Sequence, residues 1–433
     1  MNLGGFVSSV RALREHERLL MISTSTVLVM AGQGVIAPVL PLFAKEFGVG
    51  AAAVGLTLSV FALARLVLNV PLGLLSDRHG RRVLLVSGPL VTGAGMLGSG
   101  LAQDIEQLLA WRLLAGAGSA MYMTAAMIYI ADISTAENRA RFIGTNQGAL
   151  LLGVSIGPGI GGLIAQGYGL RAPFYVVGAL AIIAAAYAYL RLPETRTRSE
   201  RAAATASRAA SRSGPGDSVG RRPWLRMVRS RDFAALSIVT MSIFLTRTAG
   251  RQTLVPLLSV SRLGMSPGAL GAVFSAMSVL NMLLITPAAF AADRFGRKAV
   301  IVPGGALLTA GLLIYAGADT YTTFFVASLV LALGQGIDGP APAAYAVDIA
   351  PEEVRGLAMG LFRTSGDFGF VVGPPLLGLL ADRTSFGTAL VANALLVGLA
   401  TLIFAVLARE TAGRAGRDRQ LASAAQSLER SEL

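Results

Sequence analysis

The chain has 433 residues, 54% hydrophobic and 14% charged, where a soluble domain carries about 25% charged. It has no cysteine, which excludes disulfides and thiolate metal sites, and its two histidines, His16 and His79, both fall in polar segments, which argues against a histidine-based metal site. The net charge of +13 raises nucleic acid as a partner, but the placement of that charge along the chain points to membrane topology instead.

Residues 1–18 are polar and end in Arg14-Glu15-His16-Glu17-Arg18. The apolar run after them is too long for a signal-peptide core and shows no cleavage site, so it is the first span. Spans are predicted near 19–43, 52–75, 83–101, 108–131, 142–166 and 172–190, then near 233–260, 268–291, 299–318, 321–347, 356–380 and 386–408. Each is long enough to cross a hydrocarbon core of about 30 Å. The fold class is therefore an all-α membrane protein of twelve transmembrane helices in two six-helix bundles.

Orientation follows from lysine and arginine placement. With both termini cytoplasmic, the outer loops hold four of the 37 basic residues (Lys45, Arg171, Arg262 and Arg383), the spans hold five, and the inner segments hold the remaining 28. This predicts a multi-pass protein of the cell membrane, with bundles over 1–195 and 232–411, a basic cytoplasmic linker over 196–231 and a cytoplasmic tail over 412–433. Residues 191–231 contain eleven arginines among Ala, Ser, Gly and Pro, with no apolar period. They are expected to lie disordered or loosely helical at the inner membrane surface, either resting on anionic headgroups or only enforcing topology. The tail is polar and carries no lipidation motif.

The two halves repeat one another. Asp77-Arg78-His79-Gly80-Arg81-Arg82 returns as Asp293-Arg294-Phe295-Gly296-Arg297-Lys298, 216 residues later. The same offset relates Pro71 to Pro287, Asp132 to Asp348, Arg139 to Arg355, Gly144 to Gly360, Gly157-Pro158 to Gly373-Pro374 and Glu194-Thr195 to Glu410-Thr411. Coincidence at one offset means internal duplication.

These residues resemble the major facilitator superfamily over nearly the whole chain. Gly73-x-Leu75-x-Asp77-Arg78-x-Gly80-Arg81-Arg82 is similar to the family's loop 2–3 motif, and 293–298 to its echo in loop 8–9. Arg112-x3-Gly116-x-Gly118 resembles the helix 4 motif. Gly144-x8-Gly153-x3-Gly157-Pro158-x2-Gly161-Gly162 matches the helix 5 antiporter motif, and Leu192-Pro193-Glu194-Thr195 resembles the usual end of helix 6. The resemblance implies two bundles rocking about a central site, and the helix 5 motif implies antiport, especially of drugs against protons.

Physically, Gly80 relieves a sharp turn and the arginines hold that end in the cytosol. A carboxylate at Asp77 is suited to cap a helix N-terminus in the other bundle; by resemblance that is the start of helix 11, near Gly356. Asp132 is a candidate partner for Arg78 or Arg81. Gly153, Gly157 and Gly161 are four apart, so they share a face that lets another helix approach closely, and Pro158 bends the helix. Helix 11 repeats the device with Gly369, Gly373-Pro374-Pro375 and Gly378.

Charged residues at bilayer depth are costly and mark a pathway by default. Seven stand in spans: Arg65, Arg112, Arg247, Arg251, Asp338, Arg363 and Asp367. A proton carrier needs a group whose charge changes at working pH, which leaves Asp338 and Asp367, because spans 1 to 6 hold no carboxylate. Many drug–proton antiporters have an acid in helix 1, where this chain has Gln33, so any coupling moves to the second half. In the family, helices 1, 4, 7 and 10 line the cavity, which would put Asp338, Arg247, Arg251, Gln33 and Tyr122 on it. Arg112 either faces the cavity or snorkels outward to Asp104 or Glu106. Arg363 and Asp367 are i, i+4 and are placed to neutralise each other. Alternatively Asp367 meets Arg65, since both lie about 18 Å above the inner surface by helical rise.

The leading expectation is proton-coupled efflux of small, partly apolar molecules, with protons as coupling ion, no cofactor and a monomeric state. The alternative is a uniporter or exchanger for an organic anion, which the excess of span arginines suits. A non-transporting receptor on this fold is a third possibility that the intact loop motif in both halves disfavours. An enzyme is disfavoured too, for want of a nucleophile–base pair, phosphate loop or metal cluster.

Overall fold

The structure, a computed structural model, describes residues 3–135, 138–195, 225, 227–351 and 354–412. Among them the regular backbone is helical, without a strand. The first half forms α1 (Leu3–Ile36, continued beyond a turn by Leu40–Lys45), α2 (Ala51–His79), α3 (Arg81–Leu101), α4 (Ile105–Ile133), α5 (Arg139–Tyr168) and α6 (Ala172–Arg191). The second forms α7 (Arg231–Leu263), α8 (Pro267–Phe295), α9 (Lys298–Ala316), α10 (Tyr321–Ile349), α11 (Arg355–Arg383) and α12 (Phe386–Leu407). Of the expected linker, 196–224 and 226 lie outside the described residues, as do 413–433 of the tail.

Every one of these helices except α11 carries a stretch long and apolar enough to cross a membrane. At 29 residues α11 is as long as α2, but Arg363, Asp367 and Pro374-Pro375 dilute its apolar content. Side-chain oxygens satisfy the exposed N–H groups where several helices start: Asp104 accepts from Gln107 N at 2.8 Å, Ser230 from Phe233 N at 3.2 Å and Ser385 from Thr388 N at 3.0 Å.

Three departures from the expected spans have local causes. First, α1 begins at Leu3, so the polar start extends the helix rather than preceding it, and it ends at Ile36, two residues before Pro38, which lacks an N–H and restricts its predecessor. Second, α7 is not uniformly α-helical, because Thr246–Leu254 widens into a π-helix. Third, α10 stops at Ile337 and resumes at Ala341, across Asp338-Gly339-Pro340.

The chain divides into two compact units, one of Met1–Val49, Leu56–Asp217 and Ser266–Ser275, the other of Gly50–Gly55, Ser218–Met265 and Ala276–Leu433. Each unit thus includes a short helical start from the other half of the sequence. The core of the first joins Ile22 and Met30 of α1, Leu84 and Leu85 of α3, Tyr122 and Tyr129 of α4, Phe142 of α5 and Ala184 of α6. In the second, Leu236 and Val239 of α7 pack with Ile301 of α9, Tyr345 of α10 and Phe404 of α12. Large apolar side chains such as Leu163, Leu190 and Val406 face outward, as a hydrocarbon solvent permits.

Candidate functional site

The duplicated turn motif builds the same polar cluster twice. In the first unit Arg81 is the hub: its Nε meets Asp132 Oδ2 at 3.0 Å, its Nη2 meets Asp77 Oδ1 at 2.8 Å, and its Nη1 donates to Ser76 O at 2.7 Å. The arginine that answers Asp132 is therefore Arg81; Arg78 is exposed. In the second unit Arg297 pairs with Asp293 and with Asp348, the latter at 3.2 Å. Burial disfavours the charge on Arg297, but the hydrogen bonds it donates to the carboxylates of Asp293 and Asp348 outweigh that and hold the guanidinium above its ordinary range. Thr195 Oγ1 donates to Asp132 at 2.9 Å and Thr411 Oγ1 to Asp348 at 3.0 Å, so the helix-end motif closes each cluster.

The same motif supplies a helix cap. Glu194 accepts from Arg81 N at 3.1 Å and Arg82 N at 3.2 Å, at the positive start of α3. Glu410 accepts from Lys298 N at 3.3 Å and Ala299 N at 3.2 Å, at the start of α9. Between the helices, Gly80 and Gly296 have φ of 100° and 117°, a left-handed backbone that side chains disfavour. Arg294 is exposed and lies over the Phe295 ring, while Lys298 Nζ donates to Ala408 O at 2.9 Å. A side chain at Gly73 would meet nothing within 4 Å.

The α5 glycines make two different contacts. A Cβ at Gly153 would lie 2.7 Å from Val27 O, one at Gly157 2.5 Å from Gly34, and one at Gly161 2.0 Å from Val35 O, so this face meets the backbone of α1 directly. Gly162 instead opposes Pro267 O and Gly271 at the start of α8, where Gly159 N also donates to Ser275 Oγ at 2.8 Å. Pro158 is buried between these two contacts. Gly144 is exposed with open space around it, so this position of the motif is not a packing site here. In the second unit Gly369 and Gly373 meet Met241 and Leu245 of α7, and Gly378 meets Ala51.

That last contact belongs to a cluster that sequence reasoning missed. Asp382, at the end of α11, accepts from Ala51 N at 2.6 Å and Ala52 N at 2.9 Å, capping the first turn of α2 inside the second unit. The offset of 216 carries Asp382 to Gln166, and Gln166 Oε1 sits beside Gly268 and accepts from Ser266 Oγ at 3.4 Å in the first unit. The repeat places a polar side chain at both positions, and that was the available signal.

The span charges are sorted by packing. Arg112 is buried, 2% exposed; its guanidinium lies 4.6 Å from the Phe61 ring centroid, with Thr57 O and Met96 S as its hydrogen-bond acceptors. It does not snorkel outward, and Asp104 is engaged as the α4 cap. Tyr122 is fully buried and shares a 3.0 Å hydrogen bond with Thr26, whose hydroxyl also lies 2.9 Å from Asn146 Oδ1; it points into the first unit's core rather than at a cavity. Gln33 is half-buried.

In the second unit Arg251, inside the π-helix, donates to Gln335 Oε1 at 2.8 Å and Ser278 Oγ at 3.1 Å. Arg247, one turn earlier, is exposed. Asp338 is 3% exposed, and neither of its oxygens has a hydrogen-bond partner among the described residues. It forms no ion pair with an arginine among the described residues, and its carboxylate packs against Gly304 of α9, where a Cβ would come within 2.2 Å. Arg363 is exposed and forms no ion pair among the described residues, so the expected neutralisation with Asp367 one turn on is not made. Arg65 and Asp367 are both half-buried. No group of three or more metal-ligating side chains occurs among the described residues.

Comparison with known proteins agrees with this architecture. The sequence profile of the Major Facilitator Superfamily matches residues 22–257 and 240–431. The chain is similar to an uncharacterized MFS-type transporter of Methanocaldococcus jannaschii, 27% identical over 367 residues that cover 85% of this chain and 92% of that one. It is also similar to multidrug resistance protein 2 of Bacillus subtilis, 26% identical over 376 residues, covering 86% and 91%. Among solved structures, a bacterial homolog of the human lysosomal transporter Spinster, inward-facing and occupied, superposes with a TM-score of 0.74 at 16% identity, covering 89% of this chain and 95% of that one.

Proposed function

The chain belongs to the major facilitator superfamily and is a multi-pass membrane transporter, not an enzyme; on that premise we propose that it exports small, partly apolar molecules in exchange for protons, by alternating access. The efflux half of the reading is supported by relatives such as the multidrug resistance protein, whose full length the chain spans almost completely.

The observation that carries the proton half is Asp338. A carboxylate enclosed without a hydrogen bond or counter-ion is costly in its charged form, and such groups in membrane spans serve proton or substrate traffic by default. Asp338 sits at the interruption of α10, the kind of broken backbone that membrane transporters use near their sites. Enclosed, the side chain keeps its proton; when rearrangement of the broken segment admits water, the proton leaves. Arg251, tied to Gln335 one turn before Asp338, couples the π-helix of α7 to that segment. Substrate that contacts α7 or α10 thereby biases the same element that carries the proton.

A second reading, exchange of organic anions, is supported by Arg112 and Arg251, two buried guanidiniums that donate to neutral groups, Thr57 O and Met96 S for the first and Gln335 Oε1 and Ser278 Oγ for the second. Proteoliposome flux under an imposed pH gradient, against a panel of cationic and anionic compounds, separates the two. Export of cationic or neutral compounds driven by the gradient supports proton antiport. Transport of anions only, indifferent to pH, supports the second reading and removes the first.

A further inference from the structure

We infer that a cavity beside residues 17–21 of α1, where its apolar span begins, and the end of α6 binds the headgroup phosphate of an anionic phospholipid. The cavity has a volume of about 480 Å³ and is walled by Glu17, Arg18 and Met21 of α1, Arg82 at the start of α3, and Leu190 and Arg191 ending α6. That volume is within the range of about 300–1,000 Å³ usual for small-molecule sites.

Three guanidiniums converge on this concavity against one carboxylate. Arg18 and Arg191 form no hydrogen bond or ion pair among the described residues. Arg82 is held in place, with its guanidinium 5.0 Å from the Tyr189 ring centroid and its Nη2 donating to Tyr189 O, yet its Nε–H is buried without a partner among the described residues. Glu194, the next acid along the chain, is engaged by the N–H groups that start α3 and does not discharge these arginines. Planar guanidiniums with donors to spare recognise phosphate oxygens. Arginines that served topology alone would have no reason to share one pocket.

The surroundings select a lipid as the source of that phosphate. The charged lining lies where the apolar spans His16–Ile36 of α1 and Arg81–Leu101 of α3 begin and Ala172–Arg191 of α6 ends, the level at which a span of that length meets lipid headgroups. Next to it Leu20, Tyr189 and Leu190 are 65%, 60% and 77% exposed, an apolar skirt that suits an acyl chain and does nothing for a soluble anion. The proposal is independent of what the protein transports.

Native mass spectrometry of the full chain, released from nanodiscs holding equal amounts of phosphatidylglycerol and phosphatidylcholine, tests it. The wild type should retain phosphatidylglycerol preferentially. Arg18→Gln with Arg191→Gln should weaken that retention roughly thirty-fold, from the usual contribution of two basic residues near a lipid surface. Arg18→Lys with Arg191→Lys should keep most of it, and Glu17→Gln should increase it. Equal retention of both lipids by the wild type, or undiminished phosphatidylglycerol on the folded double glutamine variant, overturns the proposal. So does displacement of the lipid by millimolar inorganic phosphate, which would assign the pocket to a soluble anion. If the double variant does not fold, the Glu17→Gln protein decides, and unchanged retention there counts against the site.

Discussion

Arg81 is bound to Asp132 at 3.0 Å with its side chain only 1% exposed, whereas its repeat, Arg297 bound to Asp348 at 3.2 Å, is 15% exposed. The two clusters share geometry but differ in how much water reaches them, so their loss should not cost the same. Removing one partner of a buried pair costs about 3–5 kcal/mol because the other charge is stranded, while exposed pairs contribute about 0–1 kcal/mol. Asp132→Ala should therefore lower the thermal unfolding midpoint of the purified protein clearly more than Asp348→Ala. Equal shifts would mean that the clusters are energetically interchangeable.

The helix 5 glycines separate into packing positions and an open one. Gly161→Ala places a methyl 2.0 Å from Val35 O and forces α1 away from α5, whereas Gly144→Ala places one in open space. Overpacking of this kind costs about 1–3 kcal/mol. Yield and thermal stability should fall for Gly161→Ala and stay at the wild-type level for Gly144→Ala; a comparable loss at both would show that Gly144 has a role beyond the contacts seen here.

Asp382 acts on the first turn of α2 as an N-cap does, although it comes from another helix. Losing such an acceptor costs about 0.5–2 kcal/mol. Asp382→Ala should be destabilised by that order, and Asp382→Asn, which retains an acceptor oxygen, should recover much of it. Should Asn fare no better than Ala, the contribution is that of the charge at the helix terminus and not of the hydrogen bonds.

The clusters at the helix ends were legible in the sequence because residue type and a fixed offset suffice there: Asp132 and an arginine of the turn can be paired from the sequence alone. Glu194 and Glu410 were visible only as the end of a motif, since nothing in their spacing says that the chain folds back onto the start of α3 or α9. For Arg112, Tyr122 and Asp338, counting residues along a helix gives the height in the membrane but not the direction a side chain faces. That direction depends on helix rotation, which packing at glycines such as Gly304 decides. The π-helix around Arg251 and the break at Asp338 were missed for a related reason: the flanking apolar runs are long enough to pass as continuous spans, and only Gly339-Pro340 hinted otherwise.

Proton coupling through Asp338 is tested most directly by comparing two kinds of flux in proteoliposomes that hold Asp338→Asn. An amide cannot carry the proton but fits the same space beside Gly304. Accumulation driven by a pH gradient should be abolished while exchange of labelled for unlabelled substrate continues at a rate close to wild type. Gradient-driven accumulation that survives in the Asp338→Asn protein would contradict it.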